Sequence, residues 1–555
     1  VSARSKGTIT AEGLALAVST GGKRGSEAFD GSVSVNMIDQ TTQVDADNIV
    51  LTSDSSDAQG YEQTAWNGVT QVTGGTSAGF SSSKGTSLAG GFSVAISEIN
   101  NNIASKLKNA TFTSAGDVRI AALVSGNQIT HAFTGQLAVG GDSTYAFAGA
   151  AGVGQLNNTV SAGLENSTIK GKSLKVESRT ATNEEVKELS QQGPESSNAS
   201  NAASDYLEEQ GIQKEDGKSS SEQAQEILSD LKSVSGMTVK VGQEEGKTNE
   251  IGSVVTGKPL VQVTVGIDIG IGGKSGAAGV VVNTIDNSYS SLVSGNTLTL
   301  SKGLSAGAVN NVTSVGVAAG AAGGKGSFNA AGQVVVSNVN QNALTTIDNN
   351  ILSSEGTVSL DSRNNATTVN VAGNAGLNFG EGVGLGAAVL VMNTNNTADI
   401  LFKNTNKFAA SALNAVSANK SSSWAAAVDG SFTTGSVAIA GAVAVNRVRN
   451  TARVTGETLI LSSLNSATFD ASDESALWTL SGAVGGSAGT GGIGGAVSYA
   501  GFGQYGDNGT IIHLNTIELG ENSSSTALSL SAHGKEKLNS LTLGVGVSAG
   551  TFGLQ

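Results

Sequence analysis

Few residues in this chain have types and spacing that could do chemistry, and each is weighed first. Gly270-Ile271-Gly272-Gly273-Lys274-Ser275 has the Gly-Lys-Ser ending of a phosphate-binding loop, whose glycines let backbone N–H groups wrap an anion. The motif's first glycine, five residues before Gly273, is replaced by Asp268, and the Gly-Gly-Lys phrase recurs at Lys23 and Lys325. A repeat turn is therefore the expected role. Histidine occurs only at His131, His513 and His533, with no pair at ligand spacing and no cysteine anywhere, so neither a transition-metal site nor a hydrolase triad is expected. Aspartate-bearing turns such as Asp142 and Asp268 could hold calcium, but the nonapeptide of calcium-binding rolls is not repeated. Trp66, Trp424 and Trp478 each lie in a segment leading into a glycine turn. They are read as plugs or caps of a small-residue core, with a sugar-stacking platform as the alternative.

The composition says what kind of scaffold must position such residues. Of 555 residues, 76 are glycine and 2 are proline, and aromatics make up 4%. A core with so few large side chains must be thin, filled by Ala, Val, Gly, Ser and Thr between closely spaced backbones. The low proline and the missing Gly-x-y period exclude collagen, and 38% hydrophobic residues in recurring β-type runs argue against disorder. No disulfide can hold the fold, and the absence of cysteine accords with an exported bacterial protein. The most apolar phrases, Val383 to Met392 and Val437 to Val445, fall far short of the ~20 residues of a membrane helix and read as buried strands. A net charge of −14 argues against nucleic acid and anionic lipid.

The third residue of each small-apolar phrase marks a period: Val35, Ile96, Val153, Val282, Val336, Val391, Val445 and Tyr499. Apart from one gap of 129, the intervals are 54 to 61 residues, the sign of a solenoid or repeat array. About ten residues before each marker comes a Gly/Ser turn with a charge at its tip. After each comes an Asn cluster, such as Asn100 to Asn102, Asn157-Asn158 and Asn395-Asn396, expected to superpose as corner ladders. Further on a period-2 pair recurs, as in Ile49-x-Leu51, Val118-x-Ile120, Leu298-x-Leu300 and Val358-x-Leu360, at 14 to 29 residues from its marker. That variation is assigned to surface loops. The chain thus divides into solenoid repeats at 1–180 and 258–555, separated by an insertion at 181–257, and is expected to be an internal segment of a longer protein.

Residues 181 to 250 carry fifteen acids against six lysines, a net of −9. Thr182-x-x-Glu185, with Val186 and Leu189 behind it, and Ser219-x-x-Glu222, with Ile227, Leu228 and Leu231 behind it, are capping boxes that open amphipathic helices. A helical excursion from a uniform rod offers a surface that the repeats lack. Tyr206, Leu207, Ile227, Leu228 and Leu231 are therefore the candidate partner-binding residues. The competing reading is a solvated decoration that blocks lateral strand pairing.

Two phrases, Val281-Val282-Asn283-Thr284-Ile285-Asp286-Asn287 and Gly356-Thr357-Val358-Ser359-Leu360-Asp361-Ser362, resemble the repeats of very large secreted bacterial exoproteins of the fusobacterial leukotoxin and haemagglutinin type. The resemblance covers nearly the whole chain outside 181–257. It implies export through an outer-membrane pore, an extracellular β-helical rod, and adhesion or host-cell killing. It supplies no catalytic residues and no cofactor. The expected fold is all-β, a right-handed parallel β-solenoid of ~55-residue repeats with an acidic α-helical insertion. How many coils make one period stays open, as does an antiparallel arrangement with Ala366 to Phe379 paired to Val383 to Met392. The expected function is a non-catalytic rod of a bacterial surface adhesin, binding a cell-surface protein or glycan on host or neighbouring cells. A leukotoxin-type cytotoxin and a polysaccharide-acting enzyme are the alternatives.

Overall fold

The computed structural model describes residues 1–23, 25–52, 60–140, 143–191, 260–503, 509–520, 526–550 and 552–554. The chain is an all-β parallel β-solenoid in which each 55-residue period is a single flattened coil. From a glycine tip a long front strand runs to an Asn corner. A short segment follows, and a long back strand returns to the next tip. The front strands are Ser26–Asp47, Thr86–Lys108, Ser143–Glu165, Lys274–Ser294, Phe328–Asp348, Val383–Ala409, Val437–Ser462 and Gly491–Phe502. Every successive pair is parallel, and the eight sequence markers from Val35 to Tyr499 fall on one ladder. At ~4.8 Å per rung this ladder is about 38 Å tall.

The antiparallel alternative is overturned. Thr357–Asn378 pairs with Thr297–Gly324 and Ala412–Thr433, both parallel, and Val383–Ala409 pairs with its own neighbours one coil away. Strands joined by a tip face each other through side chains. A Cβ on Gly376 would lie 2.9 Å from the carbonyl oxygen of Leu385 on the facing strand, so only the smallest residues fit there.

The corner is made by left-handed residues, as the Asn-rich sequence suggested, but at other asparagines. Asn48, Asn109, Asn166, Asn349 and Asn404 have φ between 51° and 57°, and Gly295 takes the equivalent place at 69°. Beside them Asn296, Asn350 and Asn406 form a side-chain ladder with Nδ2–Oδ1 distances of 3.0 and 3.3 Å. The clusters after the markers lie inside the front strands. There Asn101, Asn158 and Asn287 form an inward ladder at 2.9 and 2.8 Å, while Asn157 donates to Asn100 on the outside at 2.8 Å. Amides stacked at the rung spacing hydrogen-bond one another, so asparagine needs no turn here.

The period-2 pairs belong to two different ladders. Leu51, Leu298 and Leu461 share one ladder with Phe112, Ile169, Leu352 and Phe408. Val118, Leu174, Leu304 and Val358 share the next, beyond a bend where Gly303 has φ 130°. The shorter distances from the markers belong to the first ladder and those near 22 to the second; the distance of 29, from Tyr499 to Leu528, falls on the second ladder too and reflects a longer connection in that coil.

In cross-section the coil has a wide end and a thin arm. The wide end holds the large side chains, including Phe112, Tyr289, Phe402, Phe408 and Phe469, all buried. The arm is lined with Ala, Ser, Gly and amides. Gln262 donates to Gln128 at 2.8 Å and Gln128 to Gln71 at 3.3 Å, a glutamine ladder in the interior. The apolar phrases read as buried strands are buried on one face only. Val281, Val335, Leu390 and Ala444 point inward and are fully buried, whereas the neighbouring markers alternate to the outside.

Candidate interaction surfaces

The acidic insertion leaves from the middle of one back rung. Thr168–Thr180 supplies the first half of that rung, ending with Thr180 beside Val124, and Leu260–Ile271 supplies the second half, starting beside Gly126. The two ends are thus about 7 Å apart on a continuous rung. At its start the helix Asn183–Gln191 opens with the expected capping box: the Glu185 N–H donates to Thr182 Oγ1 at 3.3 Å, and the Thr182 N–H to Glu185 Oε2 at 3.0 Å. Val186 and Leu189 pack on Trp66, Ala121 and Leu123 on the back face. The candidate residues Tyr206, Leu207, Ile227, Leu228 and Leu231 lie outside the described residues, as do Asp142 and the second capping box.

An ion-pair network clamps this helix. Arg119 reaches Glu177 at 2.7 Å, Glu62 at 2.9 Å and Glu185 at 2.9 Å, and Arg179 donates to Glu177 at 2.8 Å and to Glu185 at 2.7 Å. Burial pushes the Glu185 carboxyl up, but hydrogen bonds from Arg179 and the Thr182 N–H, with both guanidinium charges, outweigh it and bring its pKa to about 2. Its contribution is complete above the free value near 4.5 and is lost as pH falls through 2. Glu185→Gln should speed amide exchange of residues 183–191 at least tenfold at pH 7. Acidification toward pH 2 should release the helix in the wild type; a helix equally protected in the variant would deny the clamp any role.

The front outer face is a large uniform surface. Positions 29, 31, 33 and 35 and their register partners in the other seven front strands make four columns of eight. All are Gly, Ala, Val, Leu, Ile or Phe except Tyr499, and none is charged. Phe29, Val33, Val35, Phe92, Phe147, Val280, Ile439 and Val497 are well exposed. Phenylalanines and glycines alternate between coils, and the rings lie over the glycines: a Cβ on Gly31 would meet Phe92 at 2.7 Å, and one on Gly90 would meet Phe29 at 3.0 Å. The face is therefore flat as well as apolar.

The back outer face is similar but less uniform. Val261, Val263, Val265, Ile267 and Val315 form a cluster on the outward side of its strands with Phe133 and Val369, but all five are buried, unlike the exposed residues of the front face. Trp424 and Trp478, one rung apart, stack at 4.8 Å with an interplanar angle of 8°, and Lys537 Nζ lies 5.1 Å from the Trp478 ring. The next rung beyond Trp424 carries Val369. Trp478 is thus engaged by both Trp424 and Lys537, while Trp424 remains exposed on the outer face. Trp66 is buried and donates to Ser125 at 3.0 Å, but it lies on the outward side of its strand beneath Val186 and Leu189, so it fills the contact between strand and helix and does not plug the interior.

The remaining chemical candidates are dispersed. Lys274 follows a tip turn and opens a strand where a phosphate loop would open a helix. His131 is buried beside Phe133, and burial lowers its pKa to about 4. His533 Nδ1 lies 3.4 Å from Asp470 on the neighbouring coil. Asp268 sits inside the arm, where burial raises its pKa to about 8 against one hydrogen bond from Gln333. Among the described residues no group of three or more His, Asp and Glu is placed to hold a metal, and no helix is long and apolar enough to cross a membrane.

Sequence reasoning missed the front face. The signal was the marker phrase itself, apolar at three consecutive positions and so apolar on both sides of its strand. Comparison with known proteins found no matching family model, no similar curated protein and no similar solved structure.

Proposed function

We propose that this chain is a non-catalytic rod segment of a secreted or surface-displayed bacterial adhesin that attaches to host or neighbouring cells. The observation that carries the reading is the front face: a flat, uncharged surface kept through eight consecutive coils, while charge is placed at the tips and around the wide end. A monomer's largest apolar patch is typically ~300–600 Å², and larger ones mark contact sites. A solenoid keeps such a face straight because each coil rests only on its neighbours. The resemblance to leukotoxin- and haemagglutinin-type exoproteins supports the same reading, with export through an outer-membrane pore and a cell-surface protein or glycan as partner. The acidic insertion is the second contact element, held at its base by the Arg119–Glu185 clamp.

The test is binding of the whole chain, and of a chain lacking residues 181–250, to host cells and a glycan panel, with viability scored in the same wells. The short span between Thr180 and Leu260 on one rung lets the deleted chain close. Binding by both chains with living cells is expected if the rod faces carry adhesion, and binding lost on deletion would move adhesion to the insertion. Dead cells would replace the reading with a toxin, and glycan turnover would replace it with an enzyme.

A further inference from the structure

We infer that the front outer face is a homotypic interface that takes the same face of a second copy of this chain. This rests on the adhesive reading and names its partner. The first argument is area. Four columns about 6.8 Å apart over eight rungs of ~4.8 Å cover about 27 by 38 Å, or roughly 1,000 Å² per copy. Two copies would bury roughly 2,000 Å², at the top of the standard range for stable protein interfaces. The second argument is charge. Each copy carries −14, yet the face holds no charged residue, so two copies meet there without burying a charge. The third is period: a flat surface ruled by rungs is matched rung for rung by another copy, and a twofold axis makes one patch serve both sides. With that axis across the rod, each column faces itself in reverse order. Val33 then lies opposite Val497 and Val280 opposite Val334, and the Phe92 ring faces Gly441, where the surface is lowest.

The experiment is sedimentation equilibrium of the 555-residue chain between ~0.1 and 100 µM, with two variants on the face. Val280→Asp with Val334→Asp places acids opposite each other at the centre, and Val33→Asp with Val497→Asp does so at the margins. All four side chains point away from the core, and an unchanged circular dichroism melt confirms the fold. Leu480→Asp, exposed on the back face, is the control. The expected result is a dimer in the wild type and the control, with dissociation constants at least 100-fold weaker in both face variants. A wild type that stays monomeric at 100 µM overturns the inference, as does a dimer that both face variants retain. A monomer that binds zwitterionic phosphatidylcholine vesicles through this face would assign it to lipid, and overturns it too. A monomeric rod that still attaches to cells would sink the homotypic interface and leave the adhesive reading intact; a dimer that attaches to nothing would do the reverse.

Discussion

Phe402→Ala is expected to destabilise its coil by about 3–5 kcal/mol, the usual cost of removing a fully buried phenylalanine. The Phe402 ring is the middle of an aromatic cluster at the wide end, with edge-on contacts to Phe408 at 6.4 Å and Phe469 at 6.2 Å between centroids. Its ladder reads Ile347, Phe402, Gly456 and Leu514. A Cβ on Gly456 would lie 3.1 Å from the Phe402 Cβ and 3.3 Å from its ring, so the glycine makes room for the phenylalanine one rung away. Truncation therefore leaves a cavity between two coils that neither can fill by a rotamer change. Solenoid stability is a sum over neighbouring coils, so the loss should appear first as faster hydrogen exchange in residues 383–409 and 437–462, with distant coils unchanged. Gly456→Leu in the Phe402→Ala background should recover part of the loss by returning volume to the same pocket. No recovery, with exchange rising evenly along the rod, would show that the coils unfold as one unit.

That pocket illustrates what the sequence makes legible. The period could be read because each coil repeats one order of small residues, amides and tips, and the markers chosen for it stack in a single ladder. The orientation of those markers could not. Val334-Val335-Val336 is apolar at three successive positions, and a parallel strand covered on both sides would look the same. What separates the two sides is partner size: inward neighbours must be small or hydrogen-bonded because the arm is thin, and outward ones are free. The Asn clusters misled for a related reason. Asparagine is a turn residue when alone, but Asn101, Asn158 and Asn287 hydrogen-bond one another across rungs, a long-range pairing that no local window contains. The helix start at Thr182 and Glu185 was legible because a capping box is local. Its clamp was not, since Arg119 comes from a strand more than fifty residues away.

The thin arm also leads to the second large effect: Asp268→Asn should stabilise the chain at neutral and alkaline pH. Asp268 is fully buried between the front and back strands, and its one side-chain hydrogen bond is 2.8 Å from Gln333 Nε2 to Oδ1. Asp268 Oδ2 and Gln333 Oε1 have no partner among the described residues, and both are acceptors while the carboxyl is ionised. A proton on the carboxyl supplies the missing donor, and burial, outweighing the Gln333 hydrogen bond, raises the pKa from 3.8 to about 8. Because the folded state binds this proton more tightly than the unfolded chain, the site's contribution is complete below pH 3.8. It declines as pH rises and is gone above about 8, a loss on the order of 5 kcal/mol. Asparagine carries the donor at every pH and so resembles the protonated acid. The variant should match the wild type near pH 4 and exceed it by a few kcal/mol at pH 8, read as the urea midpoint of the coils that hold Asp268 and Gln333. If wild type and variant follow one curve from pH 4 to 9, the carboxyl is ionised in the folded arm and the interior of the rod is wetter than its amide ladders imply.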